Sequence, residues 1–226
     1  MIVLGPHDVL VLDLDDTLYP ERAYVRSGLE AVDRWVRARW GREGFLEAAW
    51  VCFQAGSRGV LFDDALGVLE LEYLSLDIEA MVATYREHEP DIHLFPDAMR
   101  LLSRAPAPSS LALITDGAAV SQRRKIAALG LSRAIATIIV TDELGRDAWK
   151  PSVVPFERVG AATGTDPSRL TYLGDNLRKD FVGPNSLGWR TVRVLRDDGI
   201  HSAPDDLPID YLPHITIRTL DDIAWR

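Results

Sequence analysis

Cysteine is almost absent from this chain of 226 residues. Cys52 stands alone, which excludes an internal disulfide and suits a reducing compartment. No histidine motif accompanies it, so a thiol nucleophile is not expected. Lysine is nearly as scarce: it occurs only at Lys125, Lys150 and Lys179, and every other base is arginine. No apolar run approaches the length of a membrane span. The N-terminal residues lack the basic start and long apolar stretch of a signal peptide, so the expected location is the cytoplasm. Low-complexity segments are missing too, and 47% apolar with 26% charged residues describes a folded, globular chain. A net charge of −9 argues against a nucleic-acid backbone or an anionic membrane as partner. An acidic protein that acts on an anionic substrate must concentrate positive charge locally, through a metal ion or a few placed bases.

Two textures organise the chain. Val9–Leu12 is apolar and β-branched and reads as a buried strand. Residues 21–90 then hold helical spacing only. Val25, Leu29, Val32 and Val36 recur on one face, and Phe45, Leu46, Ala49, Trp50 and Phe53 repeat the pattern. Leu66, Leu69 and Tyr73 follow, then Ile78, Met81, Val82 and Tyr85 after an expected N-cap at Asp77. Four short amphipathic helices in a row predict a small bundle, with Trp35, Trp40 and Trp50 in its core. His88 and His93 flank the return and are expected to be structural. From Asp97 onward helices and strands alternate, with strands at 111–115, 135–140, 170–173, 191–195 and 215–217. Such alternation makes a parallel sheet covered on both faces. The expected fold is therefore α/β: a Rossmann-like core from residues 1–20 and 91–226, with an all-helical cap inserted at 21–90. The insert departs from the end of the first core strand. Open α/β sheets bind ligands at those ends, so a lid is expected there.

The first strand ends in Asp13-Leu14-Asp15-Asp16-Thr17. Side chains alternate with period two, so Asp13 and Asp15 point the same way if the strand continues through them. Two such carboxylates are costly unless something pairs with them. A calcium loop is one rival reading, but Leu18 stands where its sixth position needs Gly and Tyr24 where its twelfth needs Glu. An acidic turn is another. Later residues answer the pair. Thr115-Asp116-Gly117 ends a second strand with a hydroxyl, and then a Gly that lets backbone N–H groups approach a phosphate. Lys150 precedes Pro151 and a helix, where its compact ammonium can reach an anionic oxygen. Asp175 and Asp180 follow a third strand. Magnesium needs hard oxygen ligands and one or two carboxylates, so Asp175 is expected to join Asp13 around Mg²⁺, with Asp180 behind them. Singly, each residue is also ordinary loop chemistry; jointly, they describe magnesium-dependent phosphoryl transfer.

Asp-x-Asp-x-Thr at 13–17, Thr115, Lys150-Pro151 and Gly-Asp-x-x-x-x-Asp at 174–180 resemble, in that order, the haloacid dehalogenase superfamily. The resemblance implies roles residue by residue. Asp13 is then the nucleophile that forms an aspartyl-phosphate, and Asp15 the acid that protonates the leaving oxygen and later activates water. Thr115 and Lys150 hold the transferring phosphoryl group, with Asp116 and Gly117 lining the phosphate. Asp13, Asp175 and the backbone carbonyl of Asp15 bind Mg²⁺, and Asp180 supports them. Asp15 favours phosphate chemistry over carbon–halogen cleavage. The absence of lysine from 21–95 excludes the superfamily's Schiff-base phosphonate chemistry. Asp16 replaces a frequent Gly. The implied substrate is a small phosphorylated metabolite, such as a nucleotide or sugar phosphate. A phosphomutase needs the same residues, and a catalytically retired binding module remains a third reading. Tyr19, Arg22 and Arg26 lie within sequence reach of the site as specificity candidates, although arginines on amphipathic helices are commonly solvated.

Overall fold

The computed structural model describes residues 1–200 and 206–226. Its elements run β1 (Ile2–Leu4), β2 (Val9–Leu12), α1 (Glu21–Trp40), α2 (Phe45–Gln54), α3 (Leu61–Val68), α4 (Ser75–Glu87) and α5 (Pro96–Arg104). They continue β3 (Leu111–Thr115), α6 (Ala119–Ala128), β4 (Thr137–Val140), α7 (Val154–Thr163), β5 (Leu170–Gly174), α8 (Val182–Ser186), β6 (Arg190–Val194), β7 (Ile215–Ile217) and β8 (Ile223–Trp225). The chain forms two compact units: Met1–Glu21 with Ile92–Arg226, and Arg22–Asp91.

The larger unit holds a six-stranded sheet in the order β4-β3-β2-β5-β6-β7, parallel throughout. Every residue of β2, β3 and β5 is buried, as expected of interior strands covered on both faces, whereas edge strands β4 and β7 are partly exposed. On one face Val9, Val11, Ala112, Ile114, Leu170 and Tyr172 pack with Phe156, Val159 and Trp189. Phe156 meets Tyr172 and Trp189 edge-on, at ring-centroid distances of 5.1 and 5.7 Å. The chain builds β2, β3 and β4 outward to one side, then crosses to build β5, β6 and β7 on the other. That reversal places a crevice at the carboxyl ends of β2, β3 and β5. A second sheet pairs β1 with β8 in parallel, joining the two ends of the chain. Neither three-residue strand was expected from the sequence, because runs this short carry no periodicity.

In the smaller unit, Val25, Leu29, Val32, Val36, Phe45, Ala49, Phe53, Leu66 and Met81 are buried, as their spacing predicts. The first helix is long rather than short, at 20 residues. The three tryptophans differ from expectation: each is only half-buried. Trp35 and Trp40 meet edge-on at 5.3 Å, and Arg26 lies 5.6 Å over Trp50. Wide amphipathic rings serve here as the rim of the bundle, while smaller side chains fill it. Tyr73 is exposed and donates to Asp63. Asp77 is not the N-cap but lies inside the first turn of α4. Its carboxylate accepts from the backbone N–H of Leu74 at 2.9 Å and pairs with Arg39. His88 is buried, with Nδ1 2.7 Å from the carbonyl of Tyr85.

Candidate active site

Asp13 extends the ladder one residue past β2, its N–H donating to the carbonyl of Leu173 at 2.8 Å. The chain then turns sharply, with the N–H groups of Thr17 and Leu18 both reaching the carbonyl of Leu14. Asp16 takes a left-handed conformation in that turn, with φ of 51°. Aspartate tolerates it better than most side chains, and Asp16 also uses both carboxylate oxygens. Oδ1 accepts from the N–H of Glu21 at 2.9 Å and Oδ2 from the N–H of Ile200 at 2.7 Å. The positive φ explains why Gly suits this position, and the two bonds explain how Asp holds it.

Lys150 is the hub. Its Nζ lies 2.5 Å from Asp13 Oδ1, 2.8 Å from Asp180 Oδ1 and 3.0 Å from the Tyr172 hydroxyl, and its side chain is fully buried. Burial alone would depress the ammonium, but Asp13 and Asp180 outweigh it and hold it protonated, well above the ordinary lysine range. Asp116 locks the Lys150 segment to the end of β3. Its Oδ1 accepts from the Lys150 backbone N–H at 3.2 Å and from the Thr141 hydroxyl at 2.8 Å, while Lys179 approaches Oδ2 at 3.5 Å. Thr115 is fully buried and donates its hydroxyl to Gln122 Oε1 at 2.9 Å. Gly117, with φ of 127°, makes that approach possible. A Cβ there would stand 2.4 Å from Gln122 Nε2.

Asp175 and Asp180 come from the turn after β5. The N–H of Asn176 donates to Asp180 Oδ2 at 2.9 Å, folding Asp180 back over Gly174. A Cβ on Gly174 would lie 2.5 Å from Asp180 Oδ2, so the spacing 174–180 needs Gly at its head. Carboxylate oxygens of Asp13, Asp175 and Asp180, all buried, lie within 4.8 Å of one another. One ammonium cannot neutralise three buried carboxylates. Burial pushes the Asp13 carboxyl up to about 6 against the pull of Lys150, with Asp180 adding to the rise. Burial, then Asp180 and Asp13, hold Asp175 well above the usual carboxylate range. Asp180 goes the other way: Lys150 and Lys179 overcome its burial and keep it below the usual range. Uncompensated negative charge among hard oxygen donors is what a small divalent cation offsets, so these residues fit Mg²⁺.

Asp15 belongs to a separate cluster. Its Oδ1 accepts from Lys125 Nζ at 2.7 Å and from the Tyr19 hydroxyl. Burial would raise its carboxyl, but Lys125 and Tyr19 hold it below the usual range. Tyr19, a specificity candidate on sequence, is thus fully buried and engaged with Asp15. Arg22 and Arg26 belong to the smaller unit, where Arg26 pairs with Glu30 at 3.3 Å. Sequence reasoning missed Lys125, Lys179, Gln122, Tyr172 and Arg196. The last donates to the Thr17 carbonyl at 2.9 Å and pairs with Asp97. One signal pointed to the lysines: a chain that keeps only three brings all three ammonium groups to carboxylates of this strand-end site.

A family model described as haloacid dehalogenase-like hydrolase matches residues 58–194. The chain belongs to that family. It is 28% identical to the glyceraldehyde 3-phosphate phosphatase of Methanopyrus kandleri, over 88% of this chain and 90% of that one. It is 27% identical to the phosphoserine phosphatase of Thermus thermophilus, over 87% and 93% respectively. Among solved structures, the HAD-hydrolase YfnB from Bacillus subtilis bound to magnesium has the same fold. The TM-score is 0.66 over 98% of this chain and 97% of that one, with 18% identity. The chain is thus a phosphatase-like hydrolase with the α/β fold of its superfamily.

Proposed function

We propose that the chain hydrolyses a small phosphomonoester through an aspartyl-phosphate formed on Asp13. The observation that carries this reading is the Asp13–Asp175–Asp180 cluster bridged by Lys150. In the first step an Asp13 carboxylate oxygen attacks phosphorus and the ester P–O bond breaks. Asp15 gives its proton to the departing oxygen. In the second step water attacks the same phosphorus, Asp15 takes its proton, and the Asp13–phosphorus bond breaks to release inorganic phosphate. Lys150 lowers the repulsion between Asp13 and the incoming anion, and Thr115, Asp116 and Gly117 shape the phosphate seat at the end of β3. Asp13, Asp175 and the backbone carbonyl of Asp15 would hold Mg²⁺, with Asp180 held back by Lys150 as support. The ion, when bound, supplies charge stabilisation to the phosphoryl group. Lys125 and Tyr19 favour the Asp15 carboxylate at rest, so Asp15 must be protonated before the first step, and the proton it takes from water in the second step restores that state.

Named relatives act on glyceraldehyde 3-phosphate, phosphoserine and, in Halopiger xanaduensis at 26% identity, ribulose-1,5-bisphosphate. These are small phosphorylated metabolites, and we assign the same substrate class here. The test is a phosphate-release screen across phosphorylated sugars, acids and nucleotides with Mg²⁺. Stoichiometric inorganic phosphate supports the reading; transfer to another hydroxyl points to a mutase. No turnover across the panel would retire the enzyme reading altogether.

A further inference from the structure

Lys125 lies on α6, away from the motif residues in sequence, and its side chain is 4% exposed. A lysine that deep in a helix needs a partner, and its Nζ meets Asp15 Oδ1 at 2.7 Å. The Tyr19 hydroxyl donates to that same oxygen, and Lys125 Nζ stands 6.0 Å over the Tyr19 ring. Both donors therefore converge on Oδ1, and Oδ2 accepts no hydrogen bond among the described residues. Asp15 follows the end of β2 in a tight turn, where its own backbone does not fix its rotamer. Two buried donors, one from the turn and one from a helix beyond β3, do so instead.

We infer that Lys125 and Tyr19 are positioning residues that clamp Oδ1 of Asp15 and so present Oδ2 to the oxygen that gives or receives the proton. The inference rests on the proposed phosphatase reading and adds two residues to it. A carboxyl group working in both directions must be aligned for two oxygens in turn, the leaving oxygen and then the attacking water. A general acid or base must stand within hydrogen-bond reach of its proton, and a misplacement near 1 Å can cost about 100-fold. Neither residue touches substrate; both act through Asp15.

Leaving-group dependence tests this. An activated aryl phosphate needs little help from an acid in the first step, whereas an alkyl phosphate needs it fully. In Lys125→Met, turnover of an alkyl phosphate should fall roughly 10- to 100-fold with KM little changed. The aryl phosphate should instead show a burst of leaving group followed by a slow steady rate, because water activation becomes limiting. Lys125→Arg, which keeps a charged donor, should recover part of the loss. Tyr19→Phe removes the other donor without stranding a charge, and should shift the alkyl-to-aryl ratio in the same direction by less. If Lys125→Met does not fold, Tyr19→Phe decides alone. An unchanged alkyl-to-aryl ratio of kcat/KM in the variants, which reports phosphoenzyme formation alone, or an equal loss of kcat/KM on both substrates without a burst, would overturn the clamp. Asp15→Asn separates this from the parent reading. Should Asp15→Asn itself show no leaving-group effect, the acid–base assignment fails rather than the clamp.

Discussion

Replacing Lys150 with Met gives the most quantitative handle on the site. Its ammonium is fully buried and touches Asp13, Asp180 and the Tyr172 hydroxyl at 2.5, 2.8 and 3.0 Å. Methionine fills nearly the same volume, so the cost is electrostatic: two buried carboxylates lose their shared cation. Breaking a buried pair from one side costs about 3–5 kcal/mol, and a chain of this size loses about 2–4 °C per kcal/mol, so Tm should fall by about 6–20 °C. The loss depends on pH. In the parent, Lys150 and Lys179 keep the Asp180 carboxyl below its ordinary range, so its contribution is present above the unfolded pKa and lost on acidification. Without Lys150, burial raises the Asp13 and Asp180 carboxyls, and their penalty grows as pH rises. The gap between variant and parent should therefore widen from pH 5 to pH 8. Mg²⁺ should narrow it at pH 8 by supplying the missing positive charge. Thermal unfolding followed by circular dichroism, with and without Mg²⁺, measures all three. A metal-free variant melting with the parent at pH 8 would refute the hub assignment.

Three further outcomes follow from the same geometry. Burial holds Asp13 near a pKa of about 6 and Asp175 well above the usual range, so Mg²⁺ must displace protons. The Tm gain from Mg²⁺ should be larger at pH 8, approaching about 2.7 kcal/mol of stabilisation at a hundredfold excess over Kd, than at pH 5; equal gains would contradict the site. Asp16→Ala keeps the positive φ and loses both backbone acceptors, each worth about 1.5–3 kcal/mol. In urea unfolding it should be less stable than Asp16→Asn, which keeps one acceptor, with Asp16→Gly between them. Gly174→Ala should push Asp180 away and lower kcat by about 100-fold, while Gly188→Ala, strained by its own φ of 74° but placed before β6 at the end of the parallel sheet opposite the carboxylates, should leave kcat unchanged.

Parts of this site were readable from sequence because its residues end buried strands. Asp13, Thr115 and Asp175 each follow an apolar run, and the sheet order makes those three runs neighbours. The parallel core and the helical insert followed from period alone. Lys125 was not readable in its role: 110 residues separate it from Asp15, and a lysine on an amphipathic helix ordinarily faces water. Nor could the sequence reveal that Asp16 spends its carboxylate on the backbone of Ile200, 184 residues away. Tyr19 is a specificity candidate by its nearness to the site in sequence, and the turn buries it. The three tryptophans looked like core by hydrophobicity. Their size places them at the bundle rim, where the ring packs and the edge meets water. Such pairings belong to tertiary geometry, which neither period nor spacing encodes.

The central claim is that Asp13 is the atom donor to phosphorus, and trapping the phosphoenzyme tests it most directly. Asp15→Asn, mixed with an activated aryl phosphate and Mg²⁺ and then acid-quenched, should carry a hydroxylamine-labile phosphate that peptide mass spectrometry maps to Asp13. Asp13→Asn should carry none and lose at least about 1,000-fold in turnover. Phosphate mapped to another residue, or turnover persisting in Asp13→Asn, would contradict the account.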